Sequence, residues 1–591
     1  MRPTTNQAGA QRKRLSFSYP SRNGLFAATT PSTASAINLP PGHFLALPPT
    51  HAAPSPPSAS SSTHADVPTS AQTVTPYLAA SNLAPNTSTT ASADFEVDVR
   101  TGFLPFDAAV DKLPVEYAVW EEALWAARGE GVVGQGLGLG VDGFKEQVWR
   151  KGIDEMPVLS IQSLLSSLPE LRRAHVVLTY LLHFYVHSHP TLATPRTTPL
   201  PIPASISVPL LAVCPLLGLP PILTYADTVL YNSHPVHPHA APSFERNPYV
   251  KSLVSFTNTP DEAHFYLAST RCELAGVNAL SIMRASLDEA FMADSLSLTR
   301  LTGYLNDLAA IIDHVGDLIL DVRNGCDPAV FYHLIRPWFK GGDSDGPLSA
   351  GWAFLGVQEE TASGLSSAAE HGSQPSTSQQ TTAGEQQQPL KGRKFSGPSA
   401  GQSSLIHALD VFLTVDHTPK QQSGTTAEES FMTRMLMYMP APHRAFLQHL
   451  ATVPHPIRSL VTVNAAKRPA LVAAYDNALE ALKRLREKHM RIATLYVIQQ
   501  ARKPPTDELI KMGAIPPPAA ETQVLGDGQK HVVLQPTSLS EIIRDEEQVL
   551  RRQREEQEEG DEEVRGTGGT ALIKFLKMCR DNTANAKLVG Q

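Results

Sequence analysis

Cysteine is scarce in this sequence of 591 residues, and its scarcity excludes several classes of protein. The four cysteines, Cys214, Cys272, Cys326 and Cys579, are widely separated and form no CxxC pair. The common ligand spacings of zinc and iron–sulfur proteins are therefore missing, and a disulfide framework is not expected. A reducing, intracellular setting fits this cysteine usage best, and we expect a cytoplasmic protein.

The sequence also lacks an excess of basic charge and an uninterrupted membrane-length apolar run. Its formal net charge is -8, so the overall balance favours neither nucleic acid nor a lipid surface as a partner. The apolar stretch 205–231 contains Pro209, Pro215, Pro220 and Pro221 and ends in polar residues. This pattern predicts short buried helices with a turn at the Pro-Pro pair. We expect no nucleic-acid partner and no membrane span.

Three segments have too few apolar residues to bury a core. Residues 1–95 are rich in Ser, Thr, Ala and Pro and are predicted to be a disordered extension. Their first acidic residue is Asp66, so a mitochondrial transit peptide remains an alternative. Residues 359–393 are rich in Gln, Ser, Thr and Gly, which predicts a disordered insertion. The polar residues 502–565 include a long charged run and are predicted to form a mobile loop.

Helical spacing of apolar residues dominates what remains. Helices are predicted at 116–127, 160–187, 205–231, 262–292, 296–323, 329–339, 402–415, 427–437, 442–452, 470–501 and 570–580. Strand-like alternation is limited to brief candidates such as 251–256, and no internal repeat is visible. The sequence therefore predicts a mainly α protein of two domains, a small helical domain at 96–256 and a large all-α bundle at 257–591.

One predicted helix has a histidine on its apolar face. Leu485, Ile492 and Tyr496 share a helical stripe with His489, and Arg486 lies on the same side. A histidine hydrogen-bonded within the core is one interpretation. A metal-ligating imidazole is the other, and a single such histidine in a helical protein favours haem over zinc, which needs three or four protein ligands. Arg486 could then pair with a haem propionate.

Further motifs have both a structural and a functional interpretation. Asp410 is the one acid in an apolar helix and needs a basic partner such as Arg486. The loop 396–404, SGPSAGQSS, runs into that helix, and its glycines would allow close approach to a ligand. The segment RGTGGT, 565–570, lacks the Lys-Ser/Thr of a P-loop, so it is either a capped helix entry or a flexible flap.

Two histidine clusters lie in proline-containing segments that we expect at the surface. One contains His187 and His189, and the other contains His234, His237 and His239. Histidines in such loops often have no function, and we expect no divalent-metal site in either cluster.

Six segments together resemble the indoleamine 2,3-dioxygenase family over about residues 100–580. They are LRRAHVVLTYLLHFYVHS; PASISVPLLAVCPLLGLPPILTYADTVLYN; HFYLASTRCELAG; VFYHLIRPWFKG; SAGQSSLIHALDVFL with YMPAPHRAFL; and LKRLREKHMRIATLYV with GTGGT. The resemblance implies a two-domain helical protein that binds haem b. It further implies that both atoms of O2 are inserted across the indole C2–C3 bond of L-tryptophan or a related indoleamine, giving N-formylkynurenine. This oxidation is the first step of the kynurenine pathway, which leads to NAD. A haem-binding sensor or scaffold with little turnover is the alternative.

The resemblance assigns roles on the haem side to four residues. His489 matches the proximal ligand of the haem iron, and Ser269 matches the serine over the distal face. Asp410 and Arg486 match the pair that supports haem binding. No obvious acid or histidine lies among the matched distal residues, which suits direct attack of oxygen on an electron-rich indole.

The resemblance also implies a substrate pocket. Arg336 matches the arginine that receives the substrate carboxylate, a role suited to a planar guanidinium. The other matched substrate-binding positions are Tyr225, Phe265, Phe331, Ser399, Ala400 and Thr567. After Arg336 the family usually has Gly-Trp, whereas this sequence continues FKGGDSDG. We expect a monomer that uses an unidentified reductant.

Overall fold

The described residues of the computed structural model are mainly helical, as predicted. They comprise 94–190, 197–235, 250–343, 350–357, 391–418, 430–453, 456–515 and 572–588. Their α-helices are α1 Ala118–Ala127, α2 Phe144–Glu155, α3 Leu168–His187, α4 Ala204–Leu217, α5 Pro260–Met292, α6 Ser295–Leu320, α7 Ser404–Phe412, α8 Phe431–Met435, α9 Ala441–Ala451, α10 Ile457–Val463, α11 Pro469–Ala493, α12 Asp507–Lys511 and α13 Leu572–Asn585. No helix within these ranges is both long and apolar enough to cross a membrane.

Four short strands accompany the helices. They are β1 Leu200–Ile202, β2 Ser233–Pro235, β3 Val250–Ser252 and β4 Trp352–Phe354. Strand β1 pairs in parallel with β4, with Leu200 opposite Trp352, and β2 pairs antiparallel with β3, with Ser233 opposite Ser252. Each strand is only three residues long, so these pairs connect neighbouring loops and do not form a sheet layer of the fold.

A long antiparallel helix pair, α5 and α6, is the frame of one hydrophobic core. Helix α5 begins at the N-cap Thr259, whose side chain accepts from the backbone N–H of Glu262, with Pro260 in the first turn. It ends where Ala293 adopts a left-handed conformation, and Asp294 then caps α6. Helix α11 packs along α6, so the helix that contains His489 is fixed against this frame.

Helix α3 is the centre of a second core. Every residue from Leu171 to Val186 is buried, so this helix is covered on all sides, and its buried Arg172 and Arg173 pair with Glu96 and Glu121. Helix α4 packs against it and contains Pro209 and Pro215 before ending at the left-handed Gly218. The Pro-rich stretch is therefore a buried helix followed by a turn, as predicted.

Three π turns interrupt the helices within the described ranges. They span Ala226–Leu230, Phe331–Ile335 and Thr494–Ile498. The first two adjoin predicted site residues, since Tyr225 precedes the first and Arg336 follows the second, and the third continues α11, the helix that contains His489. Wide turns of this kind are uncommon and are frequently found at functional sites.

Some elements were not predicted from the sequence. Helices α2 and α10 and the strands β1, β2 and β4 are absent from the predicted set, while β3 falls on the candidate at 251–256. Helix α12 lies inside the range predicted as a mobile loop, and its Leu509 is buried. Residues 1–93, 358–390 and 516–571 lie outside the described residues, so the predicted extension and most of both loops are not tested. The domain boundaries also remain predictions.

Candidate functional site

One face of α5 presents three site residues at successive turns. Phe265, Ser269 and Glu273 are four residues apart, which places them on one side of the helix. The ring of Phe265 lies 4.6 Å from that of Phe331, centroid to centroid, and Phe331 lies 5.6 Å from Tyr496 edge to face. Ser269 is half-buried and hydrogen-bonds to no other described side chain. This face therefore joins an aromatic cluster to a serine hydroxyl that is available for a ligand.

Glu273 connects α5 to two other predicted parts of the site. The hydroxyl of Tyr225 donates to its Oε1 at 2.9 Å, and the hydroxyl of Ser403 donates to the same oxygen at 2.7 Å. The backbone N–H of Tyr225 also donates to Oε1 of Gln402 at 2.8 Å. Oε2 of Glu273 is buried without a hydrogen-bond partner among the described residues. The predicted distal side thus contains an acid that the resemblance did not assign.

Burial controls the ionisation of Glu273. Desolvation raises its pKa from 4.5 to about 7, although the hydroxyl donors Ser403 and Tyr225 partly oppose the shift. The same burial, together with the nearby charge of Glu273, raises the pKa of Tyr225 well above 10. The pair therefore favours a neutral phenol and, below neutral pH, a neutral carboxyl group.

We predict that Glu273→Gln flattens the dependence of stability on pH. Between about pH 4.5 and 7 the carboxyl group is ionised in the unfolded chain and protonated in the folded one, so stability falls as pH rises through this window. A shift of this size corresponds to on the order of 3 kcal/mol, and glutamine does not titrate. The free energy of unfolding, measured by denaturant at pH 5 and pH 8, should favour the variant more at pH 8. Parallel pH profiles for the two proteins would contradict the assignment.

Arg336 lies on the short segment after the second π turn. This 3₁₀ turn, Arg336–Phe339, buries Trp338 and Phe339 and leaves the arginine half-buried. The guanidinium carbon lies 5.4 Å from the ring centroid of Tyr332. Burial lowers the pKa of Arg336, an effect that Tyr332 opposes. The side chain is therefore a partly desolvated cation, as a carboxylate-binding arginine should be.

The small-residue loop before α7 has a defined conformation. Oγ of Ser399 accepts from the backbone N–H of Gly401 at 3.2 Å, and Ala400 is exposed. The side-chain amide of Gln402 donates to the carbonyl of Gly397 at 2.9 Å. The side chain of Gln402 therefore connects two parts of the loop and also accepts a hydrogen bond from the backbone N–H of Tyr225.

A buried ion pair lies near the other end of α7. Nη2 of Arg486 donates to both carboxylate oxygens of Asp410, at 2.6 and 2.7 Å, and Nη1 donates to Thr583. His417 lies 3.1 Å from the same carboxylate. Burial alone would raise the pKa of Asp410, but the charge of Arg486 and the His417 contact hold it at about 2. The pairing predicted from the sequence is formed, while its role in haem binding remains a proposal.

His489 lies one turn after Arg486 on α11. Its imidazole is half-buried and has no hydrogen-bond partner among the residues that the structure describes. Desolvation and the positive charge of Arg486 lower its pKa below 6.5, so the ring is neutral at pH 7. A neutral imidazole with an available lone pair is what iron ligation requires. With an anchored cation beside it and the small residues of the loop at 396–403, this donor set fits haem.

Helix α7 joins the two groups of site residues. Ser403, just before it, bonds to Glu273, and Asp410, within it, pairs with Arg486. Close packing holds α7 to α5, because a Cβ built on Gly276 would lie 2.3 Å from Cδ2 of Leu405. The predicted distal and proximal residues are therefore linked through one nine-residue helix.

Some of the remaining residues singled out in the sequence lie within the part of the chain that the structure describes, and others do not. Thr567 lies outside the described residues, as do His237 and His239. His187 bonds to the carbonyl of Lys340 at 2.9 Å. Within the described ranges, no group of three or more His, Cys, Asp or Glu residues could hold a metal ion. Glu273 was missed, although an acid four residues after Ser269 on a buried stripe was a usable signal.

Comparisons with known proteins agree with this arrangement. A family model described as indoleamine 2,3-dioxygenase matches residues 91–586. The indoleamine 2,3-dioxygenase of Saccharomyces cerevisiae is 30% identical over 73% of this chain and 82% of its own length. A relative of the same name from Aspergillus candidus is 31% identical over 69% of this chain and 89% of its own length. Mouse indoleamine 2,3-dioxygenase 1 is 26% identical, over 74% and 85% respectively. The chain belongs to the indoleamine 2,3-dioxygenase family.

Proposed function

We propose that this protein is a haem-dependent dioxygenase that converts L-tryptophan and O2 into N-formylkynurenine. The observation that carries the proposal is the neutral imidazole of His489, which has no hydrogen-bond partner among the described residues and lies beside the Asp410–Arg486 pair, in a chain of this family. The reaction adds both oxygen atoms to the substrate and releases nothing, so it consumes no stoichiometric reductant. It is the first step of the kynurenine pathway, which supplies NAD.

Several residues have a place in this mechanism. His489 would ligate the iron, and Arg486, held by Asp410, would stand near the haem edge with the loop that contains Ser399 and Ala400. When bound, the haem supplies the binding and activation of O2. The chain positions the indole and excludes water from it.

The substrate would be held at two ends. Phe265 and Phe331, 4.6 Å apart, offer an aromatic surface for the indole ring, and the hydroxyl of Tyr225 bonds to Glu273, two turns further along the same face of α5. Arg336 would pair with the carboxylate through its planar guanidinium. The hydroxyl of Ser269 has no partner among the described residues and could receive the indole N–H. Thr567 is proposed to meet the substrate ammonium.

Among the described residues, Glu273 is the nearest acid to Ser269 on α5, and its Oε1 accepts two hydroxyl donors while its Oε2 has no partner. A carboxylate whose pKa is about 7 is too weak a base to remove the proton of an indole N–H. This arrangement suits a reaction in which oxygen attacks the electron-rich indole without prior removal of its proton.

The test uses the purified full chain loaded with haem. We expect a Soret band and, after addition of a reductant, L-tryptophan and air, the new absorbance of N-formylkynurenine. A haem-free protein, or a haem protein without product, would overturn the proposal. The relatives reported above are named as dioxygenases, which favours an enzyme over a sensor or scaffold without turnover.

Substrate range and setting are part of the proposal. A relative from Fusarium equiseti, 25% identical over 83% of this chain, is named 6-hydroxytryptophan 2,3-dioxygenase. We therefore include substituted tryptophans and related indoleamines among the candidate substrates. We also propose a cytoplasmic monomer with an unidentified reductant and no nucleic-acid or membrane partner, in keeping with the net charge of -8.

A further inference from the structure

Two histidines of α3 contact the segment that contains Arg336. Nδ1 of His183 lies 2.6 Å from the carbonyl oxygen of Trp338, and Nε2 of His187 lies 2.9 Å from that of Lys340. The two histidines are one helical turn apart, and so they face the same way. The two carbonyls belong to the second and fourth residues after Arg336. One face of α3 therefore holds the backbone that positions this arginine.

The hydrogen bonds of His183 define its tautomer. A carbonyl only accepts, so Nδ1 must carry the proton, and Nε2 is then an acceptor. The backbone N–H of Leu223 donates to Nε2 at 3.4 Å. Burial lowers the pKa of His183 to about 4, so the neutral ring persists across the physiological range. Because Leu223 is two residues before Tyr225, this ring spans two segments of the proposed substrate pocket.

His187 is half-buried and is also neutral. Burial and the neighbouring His183 lower its pKa well below 6.5, although the Lys340 carbonyl opposes the shift. Its Nε2–H therefore donates to the carbonyl as part of a neutral ring. Neither ring gains or loses a proton near pH 7, so both hydrogen bonds to the Arg336 segment are independent of pH in this range.

The segment after Arg336 is also tightly packed against the loop before α7. A Cβ built on Gly397 would lie 1.7 Å from the carbonyl oxygen of Phe339, and one built on Gly341 would lie 2.1 Å from that of Phe395. On the α3 side, Trp338 stacks on Phe256 with 5.3 Å between ring centroids, and Phe256 in turn contacts Phe184 of α3. The backbone after Arg336 is therefore enclosed between the loop before α7 and the two imidazoles of α3.

We propose that His183 and His187 are positioning residues for Arg336. By holding the backbone that follows it, they fix the position and orientation of its guanidinium relative to the substrate carboxylate. The inference rests on the proposed function, because it assigns Arg336 to that carboxylate. It gives His187 of the YVHSHP segment a role that is neither metal binding nor surface exposure. It also explains how the sequence after Arg336 can differ from the usual family pattern, because these contacts are made to backbone carbonyls.

The test compares His187→Leu with His187→Gln in the haem-loaded full chain. Leucine removes the donor, whereas the glutamine amide can reach the same carbonyl. We expect His187→Leu to raise KM for L-tryptophan about five- to tenfold, the effect of one lost hydrogen bond, with little change in kcat. His187→Gln should recover most of this loss. Tryptamine has no carboxylate. Its affinity, measured by titration of the Soret band, should therefore be the same in the wild type and in both variants.

Matched variants separate positioning from general damage. His449→Leu removes an exposed imidazole that stacks on Phe95, and it should leave KM, kcat and the Soret band unchanged. His183→Asn keeps a donor near the position of Nδ1 and should be milder than His183→Leu. In an Arg336→Leu background, His187→Leu should add no further loss for L-tryptophan, because the two residues act through one contact.

The outcomes distinguish the inference from the proposed function. If the wild type does not convert L-tryptophan, the proposed function fails and the inference fails with it. If the wild type is active but His187→Leu leaves KM unchanged, only the inference is overturned. Equal losses for L-tryptophan and tryptamine would likewise overturn it, because they would indicate a distorted pocket rather than a displaced guanidinium.

Discussion

Replacing His489 by alanine should abolish stable haem binding while α11 remains helical. The imidazole is the one predicted iron ligand from the chain, and methyl cannot ligate. Alanine has the highest helix propensity, and His489 makes no hydrogen bond to the described residues, so the fold loses little. We expect a haem-to-protein ratio far below that of the wild type and turnover reduced at least 100-fold. Haem content, the ferrous–CO spectrum and far-ultraviolet circular dichroism are the measurements.

Two controls define what the His489 result means. Added imidazole should restore part of the Soret band in His489→Ala, because it replaces the missing ligand without a covalent link. His449→Ala, at an exposed position on α9, should keep full haem content. A His489→Ala protein with full haem and an unchanged ferrous–CO spectrum would refute the assignment of the ligand.

Arg336→Leu should lower kcat/KM for L-tryptophan by roughly one and a half to more than three orders of magnitude. Removing one partner of a buried, charge-assisted pair costs on the order of 2–5 kcal/mol, because the carboxylate stays desolvated and unpaired. Arg336→Lys should be a poor replacement, since an ammonium cannot reproduce the bidentate geometry. Steady-state turnover is the measurement, with the Soret spectrum and melting temperature recorded for the same samples.

The Arg336 result has a clear structural alternative. If Arg336 only supports the fold, the damage should appear in melting temperature and haem retention rather than in turnover per haem. Arg300→Leu removes an exposed arginine of α6 that is paired with Glu289 of α5, and it should leave turnover intact. Near-wild-type turnover in Arg336→Leu would exclude a role in substrate binding.

The spacing of apolar residues along the sequence was enough to predict most of the long helices and one contact of the site, the Asp410–Arg486 ion pair. Helix α11 has a continuous apolar stripe, and His489 stands out on it because an imidazole among Leu485, Ile492 and Tyr496 is unusual. Asp410 stands out for the same reason, since an acid in an apolar helix needs a cation, and Arg486 is its partner. Both inferences use only the neighbours of a residue along one helix.

Other features depend on contacts between distant segments. Glu273 is 130 residues from Ser403 in sequence, and its shifted pKa arises from burial that periodicity does not measure. His183 and His187 bond to backbone carbonyls more than 150 residues away, and any residue type can provide a carbonyl. Strands β1 and β4 have three residues each, which is too short to show alternation, and they pair across a long stretch of sequence, with Leu200 opposite Trp352.

The three π turns have a consequence for how this fold could be stabilised. A π turn amounts to an α-helix with one residue inserted, which weakens the local hydrogen bonds. In the turn Phe331–Ile335, deleting one residue would rotate Arg336, which follows it, by about 100° relative to the short helix Pro328–Val330. A deletion that regularised this turn would therefore displace the guanidinium from its proposed position, because thermal robustness and side-chain placement oppose each other here.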